Sequence, residues 1–199
     1  MRCRLSFAST ILLALSSLSG FAQSNGSCAV PLSFALKTGS LLEITSRSAE
    51  VEVTGTDREE IRVTCSADDA EQTAKIHASF VSEGASDRLK ITGGPSRNVR
   101  IRIEVPRRTD LRLNSPAGDL KVTNVLGNKD IHLHAGEVTV SSVTEKEYGP
   151  VHASVAIGEI DFPRQGVNKG GFVRNYTTNL VEGKFRLDVA VFTGQINLQ

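Results

Sequence analysis

The sequence predicts an all-β chain: an N-terminal strand meander continuing into a β-solenoid-like stack of glycine-cornered repeats, with an antiparallel β-sandwich as the alternative packing. Three observations predict it. A short phrase recurs, as Gly118-Asp119-Leu120-Lys121-Val122, Gly136-Glu137-Val138-Thr139-Val140, Gly158-Glu159-Ile160-Asp161-Phe162 and Gly194-Gln195-Ile196-Asn197-Leu198. Its glycines are 18, 22 and 36 residues apart, and the last interval is twice the first, as expected of one supersecondary unit repeated. Apolar residues fall at every second position through nearly all of the chain after residue 30, the period of a half-buried strand.

Residues 1–22 read as a secretory signal. Arg2 and Arg4 precede an apolar run, Ile11 to Leu18, and Gly20 and Ala22 supply the small residues of a cleavage site. The run is too short to span a bilayer, and no cysteine stands at the cleavage point to take a lipid. Cleavage leaves 177 residues with 21 basic and 22 acidic side chains. That is long enough for a real core and too nearly neutral for a nucleic-acid partner. No later apolar run reaches spanning length, so no membrane span is expected after cleavage. Residues 23–37 read as a lead segment and 38–199 as a single domain, with repeats from about 110.

Within that domain Leu42 and Ile44, Val51 and Val53, Ile61 and Val63, Leu89 and Ile91, and Val99 to Val105 alternate with polar residues. Turn formers break the runs at Thr54-Gly55-Thr56-Asp57 and Gly93-Gly94-Pro95. These strands are expected to be the longer ones of the chain, in a meander ending near Pro106. Asp68 to Lys75 is the one helix-like stretch, with Asp68 or Asp69 as its cap. Arg97, Arg100, Arg102, Arg107 and Arg108 interleave with Val99, Ile101, Ile103 and Val105, and read as the solvated face of a strand. Cys28 and Cys65 remain after cleavage. An oxidising compartment would pair them, while the alternation around Cys65 equally allows a small core residue.

Counting from each glycine sets the repeat register. Leu111, Leu113, Ser115 and Ala117 stand seven, five, three and one before Gly118, as do Val151, Ala153, Val155 and Ile157 before Gly158, and Leu187, Val189, Val191 and Thr193 before Gly194. Ile131, Leu133 and Ala135 stand five, three and one before Gly136. Positions +2 and +4 are apolar every time. Parity therefore changes across the glycine. Positions −1 and +2 are both expected to point inward, with Gly118, Gly136, Gly158 and Gly194 as corners of positive φ. A further corner is due near Tyr176, where the segment Gln165 to Gly183 reads as a looser excursion. Its Phe172, Arg174 and Tyr176 alternate. They could face a partner, or Phe172 and Tyr176 could fold back on the core.

The repeated Gly-acid-apolar-x-apolar phrase, following a strand that ends in Val-Pro (Ile101-Arg102-Ile103-Glu104-Val105-Pro106), resembles the bacterial putative-adhesin domain family. Ser48-Ala49-Glu50-Val51-Glu52-Val53 is similar to its opening strand pair, with Ala49 where glycine is usual, and Gly183 to Ile196 to its closing repeat. The resemblance covers about residues 38–199. It implies an extracytoplasmic β-repeat protein with a binding role, and names no ligand and no catalytic residue.

Two constellations could carry chemistry. At −6 and −4 the outward face stacks Arg112, Asp130, His152 and Asp188, then Asn114, His132, Ser154 and Ala190, with His134 beside them. His132, His134 and His152 near Asp130 could ligate a metal or hold an acid–base pair; a solvated ladder of opposite charges is the preferred reading. The corner acids Asp119, Glu137 and Glu159 could bind calcium or act on a glycan, or could simply form turns. No catalytic residue and no cofactor is expected. The functional expectation is an exported, non-catalytic structural or adhesin-like binding module of the cell envelope, located in the periplasm, at the surface or outside the cell. Its partner would be an envelope protein, a polysaccharide or a second copy of itself, since strand edges at the end of a stack invite pairing. The alternative is a carbohydrate-active enzyme or calcium-dependent glycan binder on a β-helix scaffold.

Overall fold

The computed structural model describes residues 22–84, 86–144, 146–179 and 183–199. The expected signal, 1–22, lies outside these residues except for Ala22. The elements are β1 (Ala22–Ser27), β2 (Leu32–Ala35), β3 (Leu41–Thr45), β4 (Glu50–Thr56), β5 (Glu60–Ser66), α1 (Ala70–Ala74), β6 (Ile76–Glu83), β7 (Ser86–Gly93), β8 (Arg100–Pro106), β9 (Asp110–Thr123), β10 (Lys129–Val140), β11 (Tyr148–Phe162), β12 (Val167–Asn179) and β13 (Phe185–Leu198). All 13 strands belong to one mixed, open sheet. Residues 23–37, read as a lead segment, supply β1 and β2 to it. The short helix forms where expected, and its cap is Asp69, whose carboxylate accepts from the Gln72 amide at 2.7 Å.

The sheet has two arms that share one line of corners. One arm runs β1-β6-β7-β3 and continues through the leading halves of β9, β10, β13 and β11. The other runs β2-β5-β8-β4 and continues through their trailing halves. β12 lies antiparallel along the whole of β11 and closes the series. Alternate side chains of both arms meet in a single core of Val, Ile and Leu, including Ile44, Val53, Ile103, Ile131, Val140, Val189 and Ile196. This is the burial that the alternating pattern demands.

Read across the corner, the ladders make nine rungs among the described residues, in the order β1/β2, β6/β5, β7/β8, β3/β4, β9, β10, β13, β11, β12. The central rungs are parallel and in register. The ends are antiparallel. The sheet is thus mixed, and neither packing expected from the sequence, solenoid-like stack or antiparallel sandwich, describes the whole of it. The chain does not climb rung by rung, because β13 lies between β10 and β11.

The glycines of the repeated phrase stand side by side. Gly118 pairs with Gly136, Gly136 with Gly194 and Gly194 with Gly158. Their φ values are +115, +132, +142 and +145°, a region that L side chains rarely enter. A Cβ on Gly136 would run into the carbonyl group of Gly118, one on Gly194 into that of Gly136, and one on Gly158 into that of Gly194. Gly118 meets the carbonyl of Ala49, which opens the column with no positive φ of its own.

Three expectations are corrected. Position −1 does not point fully inward: Ala117 and Ala135 are half-buried, Thr193 is exposed and Ile157 is 44% exposed. The bend carries the residue before the glycine to the outside of the angle between the arms. The excursion after Gly158 is itself a rung, run backwards as β12, and Gly171, not Tyr176, takes the corner opposite Gly158. Tyr176 instead folds back, edge-on to Phe162 at 6.0 Å, while Phe172 is 74% exposed. Finally, the N-terminal strands are the shorter ones, because the rungs β3/β4 and β7/β8 are interrupted at the corner where the later rungs run through.

Cys28, in the turn after β1, is bonded to Cys65 of β5, 37 positions on in sequence, with Cα atoms 5.5 Å apart. The bond fastens the first rung to the second. Replacing both cysteines by serine is expected to cost about 4 kcal/mol in urea unfolding, the loop-closure entropy of such a crosslink. Gly136→Ala is expected to cost about 3 kcal/mol or more in the same experiment, since Cβ meets backbone on a neighbouring rung and φ is unfavourable as well.

Candidate ligand groove on the outer face

Outward side chains of the leading arm fall into rows that cross the strands. The row at −6 runs Glu43, Arg112, Asp130, Asp188, His152, Thr177. Its charges are largely committed to one another. Glu43 lies 3.2 Å from Arg88 and 2.7 Å from Arg112, Arg112 lies 3.3 Å from Asp130, and Asp188 lies 2.7 Å from Arg186. His152 Nδ1 lies 2.9 Å from the Thr177 hydroxyl. Exposed pairs of this kind stabilise little, but they neutralise the face.

The next row, at −4, runs Thr45, Asn114, His132, Ala190, Ser154, Asn175. Only His132 is engaged, with Nε2 2.8 Å from Asp130. The side chains of Thr45, Asn114, Ser154 and Asn175 make no protein hydrogen bond among the described residues. Beyond it, at −2, stand Pro116, His134, Phe192, Ala156 and Val173, and the paired register passes over these residues. Together the two rows line a groove of about 590 Å³ that crosses six rungs. The imidazole of His134 lies parallel to the Phe192 ring, 4.9 Å between centroids. Phe192 and Val173 are 53% and 73% exposed. Val173 has φ +49°, which costs a β-branched residue about 1–3 kcal/mol and persists only where the surroundings enforce it.

The three candidate histidines do not come together. His132 and His134 are on β10 and His152 is on β11, with β13 between them, so each finds its own partner. No group of three or more His, Cys, Asp or Glu is placed to hold a metal among the described residues. Of the corner acids, Asp119 and Glu137 are cross-strand neighbours and Glu159 is set apart. Gln195 stands between Glu137 and Glu159. Asn197 donates to Glu137 and Asn168 to Glu159, each at 2.6 Å. The arginine face is paired as a solvated strand should be, Arg100 with Glu50 at 2.9 Å and Arg102 with Glu52 at 3.1 Å.

Sequence reasoning missed Phe192 and Val173, and it missed Lys129. Lys129 occupies −7 of its rung, in a column otherwise filled by Leu111, Leu187 and Val151. It is 1% exposed, and Nζ donates to the carbonyls of Val125 at 2.8 Å and Gly127 at 3.4 Å and to the Tyr148 hydroxyl. The signal was present: it is the one polar residue in an apolar column. Burial lowers its pKa to about 7, against the opposing pull of the Glu147 and Asp110 carboxylates.

No family model matches the chain, and no curated protein does. Among solved structures, a putative cell adhesion protein from Clostridium sporogenes is 12% identical, aligned over 85% of this chain and 98% of its own, with a TM-score of 0.54. The two share a fold. A putative adhesin from Bacteroides fragilis (8% identity, 85% and 96% covered) and a putative lipid binding protein from Parabacteroides distasonis (11%, 85% and 96%) align with TM-scores of only 0.32 and 0.21. No helix among the described residues is long and apolar enough to cross a membrane.

The Lys129 environment gives a pH dependence with a definite sign. Unfolded, the lysine titrates near 10.5; folded, near 7. Between these values the unfolded chain holds the extra proton, so stability rises with pH, by up to about 1.4 kcal/mol per unit. Below about pH 7 this contribution is flat. Lys129→Met is expected to abolish the 7–10.5 slope relative to wild type in chemical denaturation across that range.

Proposed function

We propose that this chain is an exported, non-catalytic binding module of the bacterial cell envelope, adhesin-like in role. The observation that carries the reading is the contrast between adjacent rows. The charged row at −6 is spent on internal pairs, while the hydroxyls and amides at −4 are free beside an exposed aromatic. Uncommitted donors and acceptors lining a mostly apolar concavity suit them to hold a ligand. The Cys28–Cys65 bond suits an oxidising compartment, which supports export through the signal at 1–22. The fold shared with a cell adhesion protein supports the same role. The calcium or glycan-cleaving alternative has less support, since an amide interrupts the acidic row that would carry it.

The expected outcome is that mature protein, beginning at Gln23 by mass spectrometry, co-sediments saturably with envelope fractions of its own cell. Phe192→Ala combined with Asn175→Ala should weaken that binding at least tenfold while leaving the unfolding midpoint within a small margin. A protein that stays in the cytoplasm, or envelope binding that ignores both substitutions, would overturn the reading.

A further inference from the structure

Within the groove the side chains are not uniform in size. At −2 the order across the stack is Phe192, Ala156, Val173, on β13, β11 and β12. Ala156 is thus a gap between two larger neighbours. Ladder spacing places the rungs of Phe192 and Val173 about 10 Å apart. One face of the Phe192 ring is covered by His134; the other looks across the gap. A ring inserted over Ala156 would touch Phe192 on one side and Val173 on the other at ordinary van der Waals separation, about 3.5–4 Å each. The gap is repeated in the polar row, where Ala190 stands between His132 and Ser154. Ser154 and Asn175, both uncommitted, border it on the side toward β12.

We propose that this notch is a binding subsite for one ring of a neutral polysaccharide, whose chain lies along the groove and across the strands. The inference rests on the binding role proposed above and names its ligand class. Three features select that class. An apolar wall beside a row of hydroxyl and amide groups matches a sugar ring, which offers a C–H face and a hydroxyl rim. The groove's direction matches an extended chain, because each rung advances about 4.8 Å, close to the advance of one pyranose ring. The charges near the groove are internally balanced, Glu43 and Asp130 against Arg88 and Arg112, so nothing there favours an anionic ligand. An extended peptide fits less well: crossing the strands on the face of a sheet, it would find no edge amides or carbonyls to pair with.

Calorimetry with soluble neutral β-linked oligosaccharides of four or more rings tests the subsite directly, with an anionic uronate polymer of similar length as comparator. Binding to a neutral oligomer, weakened at least tenfold by Ala156→Leu and by Ser154→Ala, is the expected result. Ala156 is on the outer face, so the leucine variant should keep its unfolding midpoint; Ser154→Ala removes only a hydroxyl and guards against misfolding of the first. Binding that is confined to the uronate, or unchanged by both substitutions, overturns the proposal. Envelope fractions separate this failure from failure of the binding role. Loss of sedimentation after periodate oxidation of the envelope supports a glycan. Loss only after protease treatment means a protein partner and sinks the glycan proposal while leaving the binding role intact.

Discussion

The backbones of neighbouring rungs approach so closely at the corner that there is no room for a Cβ. Each glycine of the column faces the carbonyl of the rung below it, from Ala49 through Gly118, Gly136 and Gly194 to Gly158. That contact sets the bend between the arms, and the bend lets side chains from both arms share one core. Because the contact repeats at every rung, it also sets the register. Leu113, Ile131, Val189 and Ala153 meet in one column only if the glycines do. A slip of one residue would turn each apolar column outward.

The groove follows from the same geometry. Just before the corner, the paired register passes over one residue per rung, and those residues form the wall that carries Phe192 and Val173. Ion pairing next to it consumes the charges of the −6 row, so the −4 strip is left neutral and hydrogen-bonding. Lys129 sits at the far end of the same rung as His132 and His134, where its ammonium group holds the Val125–Gly127 turn through two carbonyls.

Much of this was legible in the sequence. The strands, the glycine corners, the helix cap at Asp69 and the solvated arginine face all follow from periodicity and local chemistry, which act over a few residues. The departures share one cause. Alternation states which face a residue takes and says nothing about which strand lies beside it. With β13 placed after β11, His132, His134 and His152 could gather near Asp130, and Asp119, Glu137 and Glu159 could form an unbroken acidic row. Placing β13 between β10 and β11 puts Asp188 and Ala190 between the histidines of β10 and His152, and Gln195 between Glu137 and Glu159, while Asp119 and Glu137 stay neighbours. The inward expectation at −1 failed for a different reason: parity assumes a straight strand on each side, and Ile157 sits on the bend itself.

The position of β13 bears on how the molecule can be made. The last strand in sequence is an interior strand of the sheet, flanked by β10 and β11, which leave the ribosome first. Until Phe185–Leu198 is released, β11 with its partner β12 has no parallel ladder joining it to the rest of the stack. Assembly therefore cannot proceed vectorially to completion, and the long sequence separations of these ladders make it slow. A chain arrested near residue 184 would leave unpaired the edges of β10 and β11 that β13 covers in the folded protein. The stack thus stays unjoined until Phe185–Leu198 is made, and a chain cut short before that strand would offer both edges to other chains.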